Sequence, residues 1–402
     1  MNPSECEMTI HSLPGNVKIN TWCKLNPSGE LPDSRVGHTG LYNKTDHKVI
    51  IIGGATPHSL YNEVWILNLQ NLTCSQLEVL GEFEARYEHC AFFPIKVVSS
   101  EARQDVAKTT ETEKTYDYSG LWIFAGANTE ENKNDLWELN FESQQWIQLS
   151  QTGEIPSPRT YHTTSAFLGD KFVIFSGGAK GVEAVTDSQT YQLDMLTREW
   201  SIFPTKGQPP ISRQGHVLVA VDDKLWCHGG MMGIDLYDDL HILDSDGMWT
   251  SVDCKHRPSG RAAHGAVCHE RFIYIFGGLG NSGALNDMWR LHADKLVWEE
   301  ITMGGLVPPR RLDFTLVLIE LPHKFEKKAQ DPSHGDSKAE QKESVTKEET
   351  AIKKSTNRTE SYVPYILLHG ASNKMVTVSE DVGKIVERSS HGTFQVISKP
   401  FP

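Results

Sequence analysis

An all-β fold built from repeated four-stranded units is predicted by three observations. The first is a recurring Arg-x-x-His, at Arg35 and His38, Arg86 and His89, Arg159 and His162, Arg213 and His216, and Arg261 and His264. A sixth copy runs from Arg311 to Phe314 and lacks the histidine. The second is an apolar, β-branched run after each copy that ends in a small pair: Gly53-Gly54, Gly177-Gly178, Gly229-Gly230 and Gly277-Gly278, with degraded versions Ala125-Gly126 and His369-Gly370. The third is an aromatic about 20 residues further on, Trp146, Trp200, Trp249 and Trp298, with Cys74 in the first unit. With the second small residue as marker, the repeats fall at 54, 126, 178, 230, 278 and 370. A period near 50 with short strand-like runs predicts one propeller blade per repeat. The expected architecture is a single six-bladed β-propeller over 1–402, each blade a four-stranded antiparallel sheet.

The elements can be justified in chain order. Trp22, in "TWCKL", precedes Arg35 by 13 residues, the spacing that separates Trp146 from Arg159, Trp200 from Arg213 and Trp298 from Arg311. Its strand therefore reads as the last strand of a blade whose other strands lie elsewhere in the chain. The sixth repeat has no tryptophan after Gly370, so the Trp22 strand is expected to complete that blade and close the ring, removing exposed sheet edges. Repeats two and six are longer than the rest because of extra residues over 95–118 and 324–361. Both segments are rich in Lys, Glu, Thr and Ser and are expected to be disordered loops. Because strands alternate direction, the turns after the glycines and those before the arginines should share one face. The two insertions should lie on the other.

Composition narrows the function. The chain has 402 residues, 38% hydrophobic and 23% charged, with net charge −13, which speaks against nucleic acid as a partner and against a polybasic membrane patch. No apolar run approaches the roughly 20 residues needed to span a bilayer. The N-terminal residues lack the basic and apolar parts of a secretory signal, and seven scattered cysteines fit free thiols in a reducing compartment. A cytoplasmic protein is expected.

An arginine and a histidine three residues apart suggest catalysis. Five copies around a ring argue otherwise, since chemistry needs one asymmetric constellation. On a regular strand residues three apart also face opposite sides. The pairs are therefore read as framework that satisfies backbone and inter-blade hydrogen bonds, the glycines as points of close approach, and the aromatics as filling between sheets. Cys268-His269 has no companion ligands, and "GGLGNSGAL" lacks the Lys-Ser/Thr and helix of a phosphate-binding loop. No enzyme activity, cofactor or metal site is expected.

The combined Arg-x-x-His, glycine-pair and tryptophan pattern resembles the kelch-repeat family over nearly the whole chain. Segments such as "ARYEHCAFFP", "GHVLVAVDDKLWCHGG", "YDDLH" and "VPPRRLD" are similar to the kelch-motif effectors of late-endosomal Rab GTPases. That resemblance implies a cytosolic propeller that binds a GTP-bound Rab GTPase, with other trafficking proteins as further partners. It implies a role in endosome to trans-Golgi network vesicle transport, with endosomal membranes reached only through partners. It also implies that the first strand of each repeat is innermost and that residues inside Arg-x-x-His stand near the channel mouth. Tyr87, Glu88, Thr160, Tyr161 and Gln214 are therefore the candidate partner-binding residues, and no Rab-contact motif can be carried over. Kelch-type iron sites use Glu-x3-Asp-x3-His; the nearest match, Glu183, Asp187 and Tyr191, lacks the imidazole. The alternative function is a ubiquitin-ligase substrate receptor or adaptor, although no BTB domain is present.

Overall fold

The computed structural model describes residues 7–8, 20–99, 112–160, 166–179, 183–322, 362–370 and 393–398. Every regular element among them is a strand, and the architecture is a β-propeller. Five blades each fold from one continuous repeat. In the first, Thr39–Asn43, Lys48–Ile52, Val64–Asn68 and Thr73–Leu77 form an antiparallel meander. The others follow the same plan, with second strands Gly120–Phe124, Lys171–Phe175, Lys224–His228 and Phe272–Gly280.

Burial falls from the axis outwards, and this explains the sequence pattern. The second strand of a blade is sandwiched between neighbouring sheets, so Val49, Ile50, Ile51 and Ile52 are all buried and the strand is apolar on both faces. The fourth strand buries little beyond its aromatic: in Gln145–Leu149 only Trp146 is buried. In the first four blades the hairpin turn between third and fourth strands is closed by a side-chain oxygen that accepts from backbone N–H groups, as Asn140 Oδ1 does from Glu142 and Ser143 at 3.0 and 2.9 Å.

A sixth sheet is composite. Its order is Thr315–Pro322, Tyr362–Gly370, Thr393–Ser398 and then the N-terminal Thr21–Leu25, with Glu7–Met8 alongside. Trp22 pairs with Ile397 across this sheet. One face of it, including Ile366 and Leu368, packs with Trp22, Tyr274 and Phe276. The other, including Val317, Ile319 and Leu367, packs with Val49, Ile51 and Trp65 of the first blade. The Tyr42 hydroxyl also donates to the Glu320 carbonyl.

A second device fastens sheets at their outer edges. Short segments before the arginines run parallel to the outer strand of the following sheet: Ser28–Gly29 beside Thr73 and Cys74, Thr152–Gly153 beside Glu199 and Trp200, Lys206–Gly207 beside Met248 and Trp249. Gly304–Gly305 does the same beside Thr21 and Trp22. Gly153 has φ +79°, and any Cβ there would collide with the Trp200 carbonyl.

Four expectations need adjustment. Six blades are expected, but five form from single repeats, and the remaining sheet joins 21–25 to strands within 315–398. In the third repeat the glycine marker slips by one residue. Ser176, with φ +58°, occupies the place of Gly53, and its carbonyl accepts from Arg159 as Gly53 accepts from Arg35. Gly177 then corresponds to Gly54, and Gly178 lies in the following bridge to Thr160. In the sixth repeat Gly370 takes the Gly53 place, with its carbonyl accepting from Arg311. The insertion expected as a loop over 95–118 begins and ends as an antiparallel pair, Ile95–Ser99 with Thr112–Tyr116, because alternating Val, Ile, Thr and Tyr favour a ladder. Residues 100–111 and the whole of 324–361 lie outside the described residues.

Candidate functional site at the channel mouth

The repeated arginines form one buried layer. Arg35, Arg86, Arg159, Arg213, Arg261 and Arg311 are all at most 1% exposed, which for a guanidinium demands full pairing. In each, Nε donates to the carbonyl two residues earlier, from 2.9 Å in Arg159 to 3.3 Å in Arg86. Nη1 donates to the carbonyl at the first small position. The remaining donors meet a carboxylate from the start of the third strand: Glu63, Asp135, Asp187, Asp239 and Asp287 for the first five arginines. Arg86, Arg213 and Arg261 are bidentate, at 2.6 to 3.0 Å. Hydrogen bonds from Arg86 to Asp135 and from Arg261 to Asp287 hold those carboxyls below the usual range against the opposing effect of burial.

These carboxylates were not singled out from sequence, although a signal exists. An acidic residue precedes an aromatic by two positions at Glu63-x-Trp65, Asp135-x-Trp137, Asp239-x-His241 and Asp287-x-Trp289, and each ring nitrogen bonds to its acid at 2.6 to 2.9 Å. Asp187, part of the iron-like Glu183, Asp187, Tyr191 series, is held by Arg159 at 2.7 Å. The same guanidinium lies 5.4 Å from the Tyr191 ring. Among the described residues no three His, Cys, Asp or Glu side chains form a group able to hold a metal.

Two of the histidines, His38 and His264, hydrogen-bond between sheets, and His89 does not among the described residues. They pack between blades. Among the described residues neither ring nitrogen of His89 has a partner. Burial, then the neighbouring arginine of its own repeat, pushes the imidazole pKa down to about 3 in His38 and in His89. The residue before the small pair in one sheet meets this histidine in the next: Phe175 beside His216, His228 beside His264, His369 beside His38. In the two His–His contacts the ring nitrogens are 3.1 and 3.0 Å apart, so one must donate and the other accept. Phe314 takes the place of the histidine in the last repeat and stands opposite Phe276 at 5.7 Å.

Between arginine and histidine the chain is not regular strand. The residue before the histidine is left-handed: Gly37, Glu88, Gly215, Ala263 and Asp313 have φ between +49° and +64°. This turn, and not strand alternation, separates the arginine from the histidine. These residues are joined around the axis by backbone hydrogen bonds. Glu88 N–H donates to Gly37, Gly37 to Asp313, Asp313 to Ala263 and Ala263 to Gly215, at 2.7 to 2.9 Å. The residue before each makes an antiparallel bridge to the chain after the small pair, as in Tyr87 with Ala127, Thr160 with Gly178 and Gln214 with Met231.

Inside this belt lies a cavity of about 700 Å³. Tyr87, Glu88, Thr160 and Gln214, four of the five candidate residues, line it together with Met231 and Asp313. Tyr161 lies outside the described residues, as does His162. Asp313, missed from sequence because its repeat is degraded, lines the cavity beside Glu88. Burial raises the pKa of the Glu88 carboxyl. The Asp313 carboxyl is raised well above its ordinary value, by burial first and then by the Glu88 charge. Residual exposure of both is to the channel. No helix among the described residues is long and apolar enough to cross a membrane.

Comparison with known proteins agrees with this geometry. A family model described as the KLHDC2/KLHL20/DRC7 Kelch-repeats domain matches residues 115–321. The chain is 36% identical over 231 residues to the Rab9 effector protein with kelch motifs of Xenopus laevis, covering 56% of this chain and 57% of that protein. The Homo sapiens protein of that name is 36% identical over 225 residues, 55% of each chain, and the Mus musculus protein 32% identical over 309 residues, 75% of this chain and 76% of its own. The match thus spans a little over half the length of the first two and three quarters of the third. The chain belongs to the kelch-repeat family of β-propellers and is related to the Rab9 effector proteins with kelch motifs.

Proposed function

We propose that this protein is a non-catalytic binding propeller and an effector of a GTP-bound Rab GTPase in endosome to trans-Golgi transport. On this reading it is cytoplasmic and reaches endosomal membranes through its partners. One observation carries the binding role. The repeated polar side chains are consumed in the arginine layer, whereas the side chains presented to the channel mouth, Tyr87, Glu88, Thr160 and Gln214, differ from blade to blade. A surface that varies on a frame that does not is the arrangement recognition requires. The named relatives support a Rab as the partner.

The composite sheet serves in this reading as the sixth blade, with the Trp22 strand as its clasp. Its support is the run of Gly304–Gly305 beside Trp22 and the bond from Gly37 N–H to the Asp313 carbonyl. Both repeat, at this junction, what joins the other blades.

Affinity capture with immobilised Rab9 tests the proposal. Preferential recovery with the GTP-loaded form is expected. Equal recovery with GTP and GDP, no recovery with either, or recovery of a cullin instead would contradict it.

A further inference from the structure

Glu88 and Asp313 are an anomaly in the belt. At the same position Gly37, Gly215 and Ala263 leave the channel wall bare. The two acids flank Gly37 directly, since Glu88 N–H donates to the Gly37 carbonyl and Gly37 N–H to that of Asp313. A Cβ built on Gly37 would stand 2.9 Å from the Tyr87 Cβ and 3.3 Å from Asp313 Oδ2. The missing side chain therefore leaves space beside the Asp313 carboxyl that a Cβ would crowd.

The carboxyls are incompletely satisfied. The Thr160 hydroxyl reaches Glu88, but the Asp313 side chain takes no hydrogen bond among the described residues, and the Glu88 charge acts against its ionisation. No lysine, arginine or histidine is among the described lining residues. Lys133, near the rim, is occupied by Glu84 and Glu131 at 2.6 and 2.7 Å. Two enclosed carboxyls that repel one another can be relieved by a proton or by a cation brought from outside. Around them Met231, Leu279, Leu312 and the Tyr87 ring supply apolar wall.

We propose that this cavity is a binding site for the side chain of a lysine or arginine on an exposed loop or tail of a partner protein. The cationic head lies between Glu88 and Asp313, where charge-assisted hydrogen bonds are strongest, and the methylene stem runs along the apolar wall. Tyr87 is placed to stack on a guanidinium. The assignment goes beyond the Rab reading and does not depend on it.

Fluorescence anisotropy of the full chain with a labelled hexa-arginine peptide tests it, with hexa-citrulline as the uncharged control. Wild type should bind hexa-arginine and not hexa-citrulline. Asp313→Asn and Glu88→Gln should each weaken binding at least tenfold with unchanged thermal unfolding. Glu142→Gln removes an exposed carboxylate from an outer turn and changes net charge equally; it should stay within twofold of wild type. Equal loss in Glu142→Gln, undiminished binding by Asp313→Asn, or no preference for hexa-arginine over hexa-citrulline would each overturn the site. A Rab that fails to bind would leave all these outcomes as stated.

Discussion

Arg86 and Glu88 stand two residues apart on one turn of chain, and they live in different worlds. The guanidinium of Arg86 is fully buried and meets two carbonyls and both oxygens of Asp135. The Glu88 carboxyl faces a cavity and a second acid. The same contrast holds from blade to blade: the arginine layer repeats, with a carboxylate for each of the first five guanidinium groups, while the next layer varies. The difference teaches that a propeller can keep its frame constant and alter recognition by changing residues only two positions away. The left-handed turn makes this possible, because the belt is held by backbone groups and Gly, Ala, Glu and Asp all adopt it.

Attacking the frame should give the largest effects. Deleting residues 1–30 removes the strand that carries the fully buried Trp22 together with Cys23 and Leu25. Losing one such aromatic costs about 3–5 kcal/mol, so the deletion should abolish cooperative thermal unfolding. A melt equal to wild type would contradict the clasp. Arg213→Ala comes next. It strands Asp239 and the carbonyls of Ile211 and Gly229, and chemical denaturation should report a loss of roughly 3 kcal/mol. Arg213→Lys should recover little, since lysine cannot reproduce the fork.

Smaller effects should separate the two layers by the sign of their pH dependence. His38 and His89 have pKa values pushed from about 6.5 to about 3. The unfolded chain therefore binds more protons than the folded one in that window. Their stabilising contribution is present above about pH 6.5 and is lost as pH falls towards 3, by about 1.4 kcal/mol per pH unit for each ring. His89→Phe, which copies Phe314, should flatten this acid limb in urea melts across pH. Glu88 and Asp313 have raised values, so the folded state holds the extra protons. Their contribution is present at low pH and is lost as pH rises through the raised values. Asp313→Asn should leave stability at neutral pH unchanged or slightly higher, while an equal loss at all pH values would contradict an enclosed acid pair.

Much of the frame was legible because it repeats. The arginine, glycine and tryptophan positions announced the blade period, and the resemblance to kelch repeats implied that residues inside Arg-x-x-His stand near the channel mouth. The left-handed turn was hidden because only Gly37 and Gly215 advertise it, and Glu88, Ala263 and Asp313 adopt it without the usual residue type. The slip at Ser176 was hidden because "FSGG" offers two adjacent glycines and only the Arg159 bond to the Ser176 carbonyl sets the register. The role of Asp313 was invisible for a related reason: Phe314 had broken the Arg-x-x-His pattern that would have drawn attention to it. The pairing of Glu88 with Asp313 joins residues more than two hundred positions apart, which local pattern does not reveal.

Recognition by the varying layer is tested most directly by capture on GTP-loaded Rab9 of wild type and of a Tyr87→Ala/Gln214→Ala double variant. Both side chains line the cavity and neither bears on the arginine layer. The account predicts that the double variant melts within a few degrees of wild type and is captured at least tenfold less. Undiminished capture by a folded double variant would contradict it.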